Sequence, residues 1–175
     1  PDIAAPRIEA QWMWDGLTPR LATVRISEPI VRLRITDEGR ISAGSLDRLS
    51  AGPPGRRRAS IPVVGLEIVD GAAEITAPFG TLAATLEGSG RLGEDFRAVA
   101  RIEEASQAQG AYALDGGRAS LVVVSHDGIL AAQLNTDVVS LRWGEVSFQQ
   151  AAVRITARTP LDLTRYEGEA AWRIA

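Results

Sequence analysis

The sequence predicts an all-β fold, a long curved antiparallel meander, and three observations carry that reading. Apolar and polar residues alternate with a period of two along most of the chain, turn-forming Asp-Gly and Gly pairs recur every ~8 to 12 residues, and helical periodicity is nearly absent. Strands of this kind present one face to a core and one to water.

The elements follow in order. In 7–14, Ile8, Ala10, Trp12 and Trp14 fall on one side and Arg7, Glu9 and Gln11 on the other. In 31–36, Val31, Leu33 and Ile35 oppose Arg32, Arg34 and Thr36. Leu46 and Leu49 stand at helical spacing, so at most one short helix is expected, around residues 42–49. An irregular loop at 50–60 carries Pro53-Pro54, flanking glycines and Arg56-Arg57-Arg58; it reads as a solvated interruption or as a patch for anionic lipid or phosphate. Alternation resumes at Ile61. In 81–92, Leu82, Ala84 and Leu86 oppose Thr81, Thr85, Glu87 and Arg91, whereas 103–113 is ambiguous. Near the end Tyr166, Ala170, Trp172 and Ile174 oppose Glu167, Glu169 and Arg173. Hairpin turns are expected at Asp37-Glu38-Gly39, Asp70-Gly71, Phe79-Gly80, Asp115-Gly116-Gly117 and Asp127-Gly128, because a type I′ turn needs positive φ at both central positions. Roughly ten short strands result.

Composition bounds the function. The 175 residues, 45% hydrophobic and 23% charged, are enough for a single domain, read here as one β-groove segment, 1–175, excerpted from a longer protein since it opens on Pro1. All 19 basic residues are Arg against 22 acidic ones, a net charge of −3 that disfavours nucleic acid as a partner. With no Cys and one His, disulfides and Cys-based metal sites are excluded, and no metal or cofactor is expected. No apolar run approaches the ~20 residues that span a bilayer.

Candidate chemistry is sparse. Ser125-His126-Asp127 cannot form a triad as neighbours, since nucleophile and base must converge from separate parts of a fold; a hairpin tip is the better reading. Glu103-Glu104 point to opposite faces of a strand, and Asp2, Asp15 and Asp162 lack a partner spacing. Gly88-Ser89-Gly90 sits in a strand pattern with no helix after it, which indicates a bulge or a close backbone approach and not a phosphate loop. Trp12, Trp14, Trp143 and Trp172 fall on apolar sides, so they pack in a core or line an apolar groove and do not form a sugar platform. The chain is not expected to be an enzyme.

One resemblance is carried by Pro29-Ile30-Val31-Arg32-Leu33-Arg34, by 37–49 from Asp37-Glu38-Gly39 to Leu49, by 61–71 from Ile61-Pro62-Val63-Val64 to Asp70-Gly71, and by Ala77-Pro78-Phe79-Gly80-Thr81-Leu82 with Leu86-Glu87-Gly88-Ser89-Gly90-Arg91-Leu92. In style this resembles the AsmA-like superfamily of Gram-negative envelopes, above all its YdbH and TamB branches, themselves similar to eukaryotic bridge-like lipid-transfer proteins. The resemblance implies a curved sheet folded like a taco (β-taco) whose apolar hollow holds phospholipid acyl chains. It also implies a periplasmic place between inner and outer membranes, a role in lipid transport and outer-membrane biogenesis, and an anchor in the inner membrane outside this segment. Expected partners are phospholipid acyl chains, adjoining β-groove segments of the same chain and an outer-membrane partner. The hollow would be lined by Trp12, Trp14, Val31, Leu33, Ile35, Leu66, Ile68, Leu82, Leu86, Leu121, Val123, Leu130, Leu134, Val139, Leu141, Val153, Ile155, Trp172 and Ile174. The alternative is a closed β-sandwich or β-solenoid interaction or adhesin module without lipid, in which the same faces seal against each other.

Overall fold

A computed structural model describes residues 3–38, 40–42, 63–162 and 165–174. The described residues are all-β, without a helix, and form one open sheet: β1 (Ile3–Ala4), β2 (Arg7–Asp15), β3 (Thr18–Ser27), β4 (Ile30–Ile35), β5 (Ile41–Ser42), β6 (Gly65–Ala77), β7 (Gly80–Arg91), β8 (Arg97–Gln109), β9 (Tyr112–His126), β10 (Ile129–Trp143), β11 (Val146–Pro160) and β12 (Glu167–Arg173). The sheet order runs β1-β4-β6-β7-β8-β9-β10-β11-β12, with β2 and β3 alongside β6 and β5 on β4. The helix expected around 42–49 and the loop at 50–60 lie outside the described residues, apart from Ser42, which ends β5.

From β6 to β12 every neighbour is the next strand in sequence and every pairing is antiparallel. The meander ends there. β3 and β4 both pair with β6 in parallel, Thr23 opposite Gly65 and Ile30 opposite Ala72. The two are one long strand broken at Glu28-Pro29, and β1 with β2 forms a second, broken at Ala5-Pro6. The break lines up with Asp70-Gly71 in β6, where Glu28 N–H donates to Val69 O and Ala72 N–H to Pro29 O, both at 2.8 Å. Glu28 and Asp70 each take φ 52° there, so a fold line crosses three strand positions at one level.

Two expected hairpins are therefore corrected. Asp70-Gly71 lies inside β6 and Asp115-Gly116-Gly117 inside β9; both are bulges, which draw on the same positive-φ residues as a tight turn. The β8–β9 turn falls at Gly110-Ala111 instead, with Gly110 at φ 59°. Asp127-Gly128 turns as expected, at φ 49° and 75°. With two turns replaced by bulges, β6 to β11 run 12 to 15 residues each and are not short.

The sheet is rolled. β4 and β10 are five places apart, ~24 Å if the sheet were flat. Yet Trp143 Nε1–H, at the end of β10, donates to Asp37 O just past β4 at 2.9 Å. Phe79, Leu82, Ala77 and Leu114 are buried beneath this bridge, with Ile35, Val138 and Leu141 packed on them. Phe79 and Tyr112 both meet the Trp143 ring edge-on, at 6.1 and 5.5 Å between centroids. At the opposite strand ends a Cβ on Gly93 would lie 2.7 Å from Leu161 Cδ1 and 3.3 Å from Val63 Cγ2, which brings the start of β6 close to the end of β11.

Candidate functional site: the apolar concave face

Residues opposite one another in register share a face, so the pairing assigns every side chain. One line across the sheet reads Ile8, Ile26, Ile68, Gly88, Ala98, Val123, Ala132, Ala157, Gly168. A second, two residues along, reads Gly71, Leu86, Ala100, Leu121, Leu134, Ile155, Ala170. On the other face, the line beyond the first reads Glu9, Arg25, Glu67, Ser89, Arg97, Val124, Ala131, Arg158, Glu167, and the line between the two apolar ones reads Glu87, Val99, Val122, Gln133, Thr156, Glu169. One side is apolar across nine strands, and the other mixes charged and polar side chains with a few apolar ones. The apolar side is the concave one, because Ile35, Leu82, Leu114 and Leu141, from four different strands, converge on it.

Small side chains run along the first line. Gly88 faces Ala98, and a Cβ on Gly88 would come within 2.9 Å of the Ala98 Cβ, so the close approach expected of Gly88-Ser89-Gly90 is present. A Cβ on Gly90 would meet Asp95 O at 2.6 Å. Larger side chains flank this smooth floor. Leu121 and Ile155 remain 37% and 39% exposed on it, and no second sheet lies over them among the described residues.

Of the expected row, Val31, Leu33, Leu66, Ile68, Leu82, Leu86, Leu121, Val123, Leu130, Leu134, Val153, Ile155 and Trp172 share this face by register, Ile35 and Leu141 by their packing. Three depart. Val139 is displaced: Gln150 opposite it takes φ 50° and Gly116 takes φ 57°, so the alternation slips by one between Val138 and Leu141. Val139 then packs against Gly116, among Glu104, Arg118, Asp137 and Arg173. Trp12 and Trp14 point to the same face but sit on a part of β2 paired to β3 before β3 meets β6, and they are largely exposed. Ile174 lies one residue past β12.

Sequence reasoning missed Val24, Ile26, Ile75, Ile102, Val138 and Phe148 as members of this face, while Trp143, expected in a core or groove, packs on it as well. In β3 the signal was obscured by a register shift opposite Gln11/Trp12, and in β6 by the Asp70 bulge.

The convex face carries cross-strand pairs, Arg32–Glu74 at 2.8 Å, Arg118–Glu104 at 3.4 Å and Arg25–Glu67 at 3.6 Å, all well exposed. Such pairs add little stability but keep that face wet. At the β9–β10 tip Ser125, 2% exposed, accepts a hydrogen bond from Gly93 N–H, while His126 Nδ1 lies 3.2 Å from Glu94 O. Serine and histidine thus engage separate backbone groups of the neighbouring turn. Compared with protein-family models, curated proteins and solved structures, the chain matches none.

Proposed function

We propose that this chain is a groove segment of a bridge-like lipid-transfer protein, which shields phospholipid acyl chains on its concave face between the inner and outer membranes of a Gram-negative envelope. The single observation that carries the reading is an apolar concave face continuous across nine strands, with no second layer over it among the described residues. A closed sandwich needs a second sheet against the first.

The binding is partition, not catalysis. Each CH₂ moved from water to such a face gains about 0.8 kcal/mol, so acyl chains are held without any specific polar contact. The Gly and Ala floor between Leu and Ile flanks offers near-equal steps from strand to strand, which favours sliding over trapping. Head groups stay in water at the open flank. The segment takes its place in the periplasm beside adjoining β-groove segments of the same chain, with an inner-membrane anchor and an outer-membrane partner beyond it.

Native mass spectrometry with lipid extraction, on protein purified from bacterial cells without detergent, tests this. Co-purifying phospholipid is expected, lost in Leu121→Asp with Ile155→Asp while circular dichroism is unchanged. A lipid-free, monomeric wild-type protein would overturn the reading in favour of a sealed interaction module.

A further inference from the structure

The hairpin tip of β2 and β3 stands apart from the groove. β2 pairs with β3 down to Asp15–Thr18, but among the described residues no strand pairs with the other side of β3 before Thr23, opposite Gly65. Residues 12–21 therefore project as a two-stranded arm, and an isolated hairpin has no core of its own.

The arm gathers several large exposed apolar side chains at one tip. Leu17, at the turn, is 97% exposed, Trp14 73%, Trp12 65% and Met13 55%. Met13 lies on the outward face, where Arg7, Glu9 and Gln11 precede it, so at the tip that face too carries an apolar side chain, beside Arg20 and Asp15. Its two charges, Asp15 and Arg20, pair with each other at 3.1 Å, which leaves the arm electrically neutral. A tip of exposed Trp, Met and Leu whose only two charges pair with each other matches the chemistry of the bilayer interface, where indole rings and ion-paired side chains settle at head-group depth and an aliphatic side chain reaches the acyl region.

We infer that this arm is a membrane-docking wedge that inserts Leu17, Trp14 and Met13 into a phospholipid bilayer surface. The inference goes beyond the groove and stands without it, since none of the arm lies over the floor residues. Because the tip is neutral, insertion is driven by apolar burial and is insensitive to salt.

Flotation of the 175-residue chain with vesicles of dioleoylphosphatidylcholine, at low and high salt, tests it. Wild type is expected to float at both, with its tryptophan fluorescence quenched by brominated phosphatidylcholine. Leu17→Asp is expected to lower partition about tenfold or more, with Leu17→Phe restoring it. Leu17 has no packing to lose, so its variants fold. Lipid co-purified in the groove is expected to be unchanged in Leu17→Asp, which separates failure of the wedge from failure of the groove. Wild type that stays at the bottom of the gradient, or Leu17→Asp that floats like wild type, overturns the inference. So does a dimer in light scattering that Leu17→Asp dissociates, since a second copy would then cover the arm.

Discussion

The two ends of the rolled sheet treat tryptophan in opposite ways. Trp143 is packed edge-on between Phe79 and Tyr112 and hydrogen-bonded to Asp37, a contact that spans 106 residues of chain. Among the described residues Trp14 is paired only within its own hairpin, and it stands 73% exposed. The same residue type thus serves as a staple in one place and as a free surface in the other. What separates them is the number of strands within reach: the roll brings five strand places together over Phe79, while the arm has one neighbour.

The contrast can be broken most forcefully at the staple. Phe79→Ala removes a buried ring from an end where side chains of four strands converge, and is expected to cost about 3 to 5 kcal/mol in urea unfolding followed by circular dichroism. A loss below ~1 kcal/mol, within the range of surface changes, would mean that the rolled end does not hold the sheet together. Next comes the other pinned end. Ser125→Ala leaves the Gly93 N–H buried without its acceptor, an expected loss of about 1 to 3 kcal/mol by the same measurement.

Trp143→Phe sharpens the comparison more gently. It keeps an aromatic ring against Phe79 and Tyr112 but deletes the indole donor, with an expected cost of about 1 kcal/mol. Hydrogen exchange should then accelerate at Thr36, whose N–H is bonded to Arg40 O beside the bridged turn, while β9 amides stay protected. Uniform acceleration would show that the bridge is not local. Smallest of all, Leu17→Ser in the arm is expected to change unfolding by no more than about 0.5 kcal/mol, because a fully exposed side chain gives up no packing. A larger loss would place the arm inside the cooperative unit.

How much of this was legible depended on whether alternation ran unbroken. In β7 it did, and Leu82, Ala84 and Leu86 were read correctly against Thr81, Thr85 and Glu87. Where a bulge inserts a residue, the period shifts and the reading goes to the wrong face, as at Val139. Glu28 and Gln150 take positive φ without being Gly, so nothing local announced those irregularities. Asp-Gly was read as a turn at Asp70 and Asp115 because local chemistry fixes φ, whereas the ladder on either side decides between turn and bulge. The parallel pairing of β3 and β4 with β6 was invisible for a different reason: it joins residues 42 positions apart through a connection that carries no signal of pairing direction.

That parallel pairing also sets an order of assembly. From β6 to β12 each strand meets the one just before it across a short connection, so the seven-strand meander can zip in sequence with little loop-closure entropy at each step. The amino-terminal strands, though synthesised first, pair among themselves but have no sheet to join until β6 emerges, and the Trp143–Asp37 bond must wait for β10. The chain is thus made in one direction and completed in the other, with its oldest residues the last to be fixed in place.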